Sequence, residues 1–331
     1  MLKLKNLLYL ALLAIVILLP FFVSNRYYLH ILIICGIYVI IAQALNLVVG
    51  YTGYISFAHN ALYGVGAYAS ALMMQSLGFS FWISFPLAVV VASVIGFVVG
   101  YLPLKLKLKG PYFTLVTMAF GLVVVSVLHN WESLTGGPAG LASIPGPGSF
   151  LGLSLDSRRA FYYFVWFFAI VTIVFISRLI NSKLGRSFKA IGQDEDMAEA
   201  VGVNIGYYKI LCFVISSGLT GMAGSFYAHY TRFLGPDMFA IFEAVDMLTM
   251  VIVGGMGTII GPVVGAVVIV ILPEVLRGLA EYRQVIFSII LILTIMFVPQ
   301  GLVGIGSLLK SNKNKIFQQS ISDLPAEDSE N

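Results

Sequence analysis

Seven charged side chains crowd the stretch from Asn181 to Tyr208: Lys183, Arg186, Lys189, Asp194, Glu195, Asp196 and Glu199. Long apolar segments lie on both sides of it. Their spacing makes no catalytic pair. It makes a compact charged surface of the kind a soluble partner grips, beginning at Gly185 and Arg186. Asp194 to Val201 has the length of roughly two helical turns. Asp196 and Glu199 stand at capping-box spacing, and Gly202 suits the position where a left-handed residue ends a helix. Ala198, Ala200 and Val201 offer small apolar surface to a partner groove. The competing reading is a solvated loop helix with no partner.

Within the apolar segments the polar side chains are few and mostly neutral: Gln43, Asn46, Ser56, His59, Asn60, Thr114, Thr117 and Thr249. Asp246 is the one acid read as lying inside a span. Asn46, Ser56, His59, Tyr63, Thr117 and Asp246 are the candidates for a substrate pathway, since polar groups in hydrocarbon are costly and tend to face a bundle interior or a cavity. Asn46 and His59 serve equally as hydrogen-bonding glue between helices, and Asp246 as a solvated acid near a helix end. A proton- or sodium-coupled carrier needs ionisable groups near the midplane. Their scarcity points to a driving force supplied from outside the chain. That force is not ATP hydrolysis by the chain itself: no Gly-Lys pair exists anywhere, so there is no phosphate-cradling loop. HExxH, GxSxG and Cys/His clusters are missing too, which argues against an enzyme. Cys35 and Cys212 lie inside apolar segments without ligand spacing and read as buried free thiols. No metal or cofactor is expected on this chain.

These residues need a membrane bundle to position them. The 331-residue chain is 59% hydrophobic and 10% charged, with mean hydropathy +0.96; soluble domains carry roughly 25% charged residues. The apolar runs are long and continuous, unlike the alternating ~10-residue strands of an outer-membrane barrel. The expected fold is an all-α polytopic membrane protein with about ten transmembrane helices. Segments fall at 7–23, 29–49, 54–76, 81–103, 112–129, 160–180, 209–229, 243–256, 258–276 and 285–303, with 243–256 short enough for a half-helix. The first follows Lys3 and Lys5 but precedes no small-residue cleavage site, so it reads as a retained helix. With the N-terminus inside, every lysine falls on the cytoplasmic side and the external loops hold only arginines. Both termini are then cytoplasmic. The permease domain covers 1–306, with 181–208 as its cytoplasmic coupling loop and 130–159 as a Gly/Pro-rich external loop. The polar segment 307–331 is expected to be a disordered tail. The net charge of +4 sits in short loops without interleaved aromatics, so nucleic acid is not an expected partner. Gly257, Gly261 and Gly265 recur every fourth residue, a spacing that lets helix backbones approach. Pro262, inside that stripe, is expected to bend or break the helix.

The loop GRSFKAIGQDEDMAEAVGVN, followed by KILCFVISSGLTGMAGSFYA, resembles the coupling-loop region of ABC transporter permeases. More narrowly, the chain resembles the LivM-type permease subunits of branched-chain amino acid importers. NLVVGYTGYISFAHNALYGVGAYASAL, LKGPYFTLVTMAFG, LTGGPAGL and VDMLTMVIVGGMGTIIGPVVGA match the family's motifs in order, over most of residues 40–275. The chain departs from the pattern at Ala58, Asn60, Pro138, Ala139, Ala244 and Asp246. Urea and short-chain amide importers share much of the pattern. The resemblance implies a bacterial inner-membrane complex with a sister permease, two cytoplasmic ATPase subunits that carry ATP and magnesium, and an extracytoplasmic solute-binding protein. A stand-alone channel or facilitator is the alternative class, in which the charged loop is incidental.

Overall fold

With no water to pair a free backbone group in hydrocarbon, the long apolar runs close their hydrogen bonds internally as helices. In a computed structural model of the protein, residues 25–276 are described except 107, 109, 151 and 152, together with 19–20 and scattered positions from 282 to 304. Helix α1 (Arg26–Asn46) is apolar all round and buried along most of its length, so it forms the axis of the bundle. It runs on through a π-helical turn, Leu47–Tyr51, into a non-helical segment, Gly53–Ala58. The chain continues through α2 (His59–Leu77), α3 (Phe81–Lys105) and α4 (Pro111–Asn130).

Beyond α4, a short α5 (Glu132–Thr135) leads into strands β1 (Leu141–Ala142), β2 (Ser149–Phe150) and β3 (Leu153–Ser154). Helix α6 (Arg158–Ile180) then crosses back to two short helices, α7 (Lys183–Gln193) and α8 (Glu195–Ala200). Helix α9 (Ile205–Thr231) returns and packs against α1, α2 and α3. Strand β4 (Phe233–Leu234) pairs antiparallel with β1, and β2 with β3. A helical hairpin closes the described bundle, α10 (Ile241–Gly254) and α11 (Ile260–Val275), both against α1.

The architecture is that of a polytopic all-α membrane protein. Among the described residues five helices are long and apolar enough to cross a bilayer, and α2, α10 and α11 bring the expected segments found to eight of ten. The segments expected at 7–23 and 285–303, and the tail 307–331, fall on residues outside or only sparsely among those described. The ends of the helices sort onto two faces. Arg26, Arg158, Arg232 and the β-paired loops share one face, where Arg158 donates to the Arg26 carbonyl (3.2 Å) and Gln75 to that of Ala142 (2.8 Å). On the opposite face Leu108 lines one groove with Glu195 and Lys209.

Two expectations for the glycine stripe are corrected. Gly257 is not on the helix: it occupies the α10–α11 turn with φ +70°, outside the reach of a helical repeat. Pro262 does not break α11, because it falls in the first turn, where its missing N–H has no intrahelical partner to lose. Gly261 and Gly265 do face α10 at very close range. A Cβ on Gly265 would lie 1.8 Å from the Met250 carbonyl oxygen, and one on Gly261 2.3 Å from that of Gly255.

That contact predicts that Gly265→Ala lowers thermal stability in detergent by about 1–3 kcal/mol, the usual range for overpacking. Gly206→Ala, where an added Cβ meets only Asn204 Oδ1 at 3.8 Å, leaves the melting point within about 1 °C of the parent.

Candidate functional site

The charged island is built from two capped helices. Ser182 accepts from Gly185 N to start α7. Leu184, Phe188 and Ile191, at helical spacing, turn inward, while Lys183, Arg186 and Lys189 face out. This helix was missed in the sequence, although that spacing carried its signal. Asp194 starts α8 by accepting from Met197 N at 2.9 Å. The capping box expected of Asp196 and Glu199 is thereby corrected: Asp194 is the cap, and both other acids stay exposed on the helix. At the far end Gly202 takes φ +87°, with Gly202 N bonded to Glu199 O (2.9 Å) and Val203 N to Ala198 O (3.0 Å). Those two bonds form a Schellman motif, which a residue with a Cβ closes only under strain. Ala198 is buried rather than offered to a partner; the exposed apolar surface is Met197 (72%), Val201 (79%) and Tyr207 (58%). Beside it a groove of about 480 Å³ is lined by Glu195, Asp196, Glu199, Asn204 and Lys209.

The island is clamped to the non-helical segment after α1. Lys209 donates to the Glu195 carboxylate (2.7 Å) and to the Tyr54 hydroxyl (2.5 Å), and Tyr54 donates to the same carboxylate. Both charged partners are mostly buried, at 7% and 19% side-chain exposure. Gly192 of α7 sits so close to Tyr51 that a Cβ would lie 2.3 Å from its carbonyl oxygen. Lys209 and Tyr54 were not singled out in the sequence, where each fell at the first position of an expected span.

Behind Tyr54 the neutral candidates form a buried hydrogen-bond network. Ser216 gives its hydroxyl proton to the Ala44 carbonyl (2.5 Å), so it accepts from His59 Nε2 (2.7 Å). His59 Nδ1 is then the acceptor for Ser56 (3.1 Å). Asn46 donates to Thr258 O (2.8 Å) and accepts from Gly257 N (2.9 Å), holding the α10–α11 turn. Thr117 donates to Thr114 O (2.9 Å) and accepts from Phe57 N (3.3 Å). These four side chains tie helices to the broken backbone, and all are buried.

Tyr63 and Asp246 lie elsewhere. Tyr63 is fully buried among Tyr38, Tyr227 and Phe239, and its hydroxyl has no hydrogen-bond partner. Asp246 is exposed on α10. It is not the sole acid there, which corrects the expectation of a single one: Glu243, three residues earlier on the same helical face, accepts a hydrogen bond from Tyr38. An acid at the centre of a lipid-facing helix costs about 2.5–3.5 kcal/mol on insertion scales. Most exposed residues of α3 and α4, among them Val90, Val94, Phe97, Leu115 and Val123, are apolar instead. Those two faces suit lipid, whereas α10 exposes Asp246 beside Phe242 and Val245.

The Glu195–Lys209 geometry predicts an asymmetric mutational response. Lys209→Met strands a mostly buried carboxylate and destabilises the protein by about 3 kcal/mol, whereas Lys209→Met combined with Glu195→Gln recovers most of the loss. Thermal melts of the purified variants measure both.

No solved structure matches the chain. A family model described as the branched-chain amino acid transport system permease component matches residues 27–298. The chain is 33% identical to the high-affinity branched-chain amino acid transport system permease protein LivM of Salmonella typhimurium, over 90% of this chain and 75% of that one. It is 32% identical to LivM of Escherichia coli, over 88% and 73%. The high-affinity branched-chain amino acid transport system permease protein LivH of Salmonella typhimurium is 26% identical, over 81% and 91%. With apolar spans in the order the motifs require and a family match over most of its length, this chain belongs to the permease components of branched-chain amino acid transport systems.

Proposed function

We propose that the chain is the membrane-spanning permease subunit of an ATP-driven importer for leucine, isoleucine and valine in a bacterial inner membrane. A solute-binding protein delivers the amino acid from outside. A sister permease of the LivH kind completes the pathway, and two cytoplasmic ATPase subunits bind and hydrolyse ATP with magnesium. The observation that carries this reading is the α7–α8 pair, a capped rigid element on one face, clamped through Glu195, Lys209 and Tyr54 to the broken segment between α1 and α2. Force applied to Met197, Val201 and Tyr207 reaches the interior of the bundle through a charge-assisted contact rather than a flexible loop.

The orientation follows from charge. Lys105, Lys183, Arg186 and Lys189 share the island's face, which is the cytoplasmic one by the positive-inside rule. Residues 130–159 and the β1–β4 pair face outward toward the binding protein, and both termini are cytoplasmic. Residues 1–306 make up the permease domain, 181–208 its coupling loop and 307–331 a tail.

Reconstitution tests the whole reading. With the sister permease, the ATPases, the binding protein and ATP, proteoliposomes accumulate labelled leucine; this chain alone neither accumulates it nor hydrolyses ATP. Accumulation by the chain alone, or none by the complete set, rejects the proposal. Within that system Gly202→Val strains the Schellman turn by about 1–3 kcal/mol. It and Glu199→Lys lower ATPase association or ATP-driven uptake at least tenfold, while both variants still insert and the binding protein keeps its ligand affinity. Parent-like assembly and uptake by both variants would show that the island does not couple.

A further inference from the structure

The acid-bearing face of α10 is not explained by coupling or by packing. Glu243 and Asp246 stand one helical turn apart beside exposed Phe242 (79%) and Val245 (44%). Among the described residues neither carboxylate is paired with a lysine or arginine; the partner of Glu243 is the neutral Tyr38 phenol. Three phenols back this face. Tyr63 lies with its ring centroid 6.5 Å from that of Tyr38, the phenol bonded to Glu243, and 5.5 Å from that of Tyr227. Its hydroxyl is fully buried and bonded to nothing. The Tyr227 hydroxyl has only the Met238 thioether, at 3.8 Å. An unsatisfied buried hydroxyl next to uncompensated carboxylates marks a place where a ligand supplies the missing partner.

We propose that Glu243 and Asp246, with Tyr63 and Tyr227 behind them, receive the ammonium group of the transported amino acid as it passes along α10. This rests on the importer reading and deepens it. Carboxylates accept the N–H donors of an ammonium, and phenol faces attract an organic cation. A metal ion fits less well, since among the described residues no three side chains of His, Cys, Asp or Glu converge on one point. Phe242 and Val245 beside the acids suit an aliphatic side chain on the same substrate. Urea and simple amides donate N–H bonds to a carboxylate but carry no positive charge, so they gain less from two carboxylates and the face favours an amino acid over a neutral amide.

The test uses the complete importer in proteoliposomes, with saturating loaded binding protein and ATP, and reads uptake rate beside assembly and ATP hydrolysis. Glu243→Gln keeps an acceptor for Tyr38 and removes the charge; Tyr38→Phe removes the hydrogen bond and keeps the charge. Leucine uptake falls at least tenfold in Glu243→Gln and in Asp246→Asn, recovers in part in Glu243→Asp, and stays above half the parent rate in Tyr38→Phe. Parent-like uptake by both charge-removing variants, or a loss in Tyr38→Phe as deep as in Glu243→Gln, overturns the inference while the importer reading stands. If the parent itself moves urea or isobutyramide as fast as leucine, the substrate reading and the inference fall together. Should Glu243→Gln fail to assemble, the exposed Asp246→Asn decides alone.

Discussion

A backbone that leaves the α-helical ladder inside an apolar bundle must find other partners for its polar groups, because hydrocarbon supplies none. Here the chain leaves it between Leu47 and Ala58, first through a π-helical turn and then without regular structure. Several of the buried polar side chains gather around that break. Thr117 takes the N–H of Phe57, Ser56 takes that of Ala58, and Cys212 donates to the Leu47 carbonyl at 3.2 Å. The His59–Ser216 pair connects the start of α2 to the end of α1. Removing the break would leave these groups without a purpose; removing the groups would leave the break without support.

The same break explains why the charged island is attached where it is. α7 and α8 abut Tyr51 and Tyr54 as well as the first turns of α9, where Lys209 holds Glu195. A regular helix resists local displacement, since its backbone bonds act together. A segment held by side chains has fewer and more separable contacts, so it is the natural place for an external push to act. The Lys209–Glu195 contact suits that role because a mostly buried ion pair cannot loosen part-way without exposing a bare charge.

Charge is also sorted sideways across the bundle. Most outward residues of α3 and α4 are aliphatic or aromatic, whereas α10 exposes Asp246 and half-exposes Glu243. In water such a difference is a detail of solubility. In a membrane it separates a lipid-facing flank from one that must meet another polar surface, because the hydrocarbon cannot solvate a carboxylate.

Composition and run length alone determined the class of molecule, since only helices satisfy a backbone that apolar, and the eight described spans lie close to where hydropathy put them. Gly202 was likewise legible as a helix stop, because a left-handed residue after a short polar helix is a local requirement. Local spacing misled where another partner, near or distant, competed. Asp194 displaced the capping box expected of Asp196 and Glu199, and Gly257 left its stripe to turn the chain against Asn46. The sequence could name Asn46, Ser56, His59 and Thr117 as polar groups needing an explanation, but not which explanation. That depended on residues up to 212 positions away: Thr258 for Asn46, and Ser216 for His59. Tertiary structure alone decided that Glu243 meets Tyr38, because a contact between α1 and α10 leaves no periodicity in either.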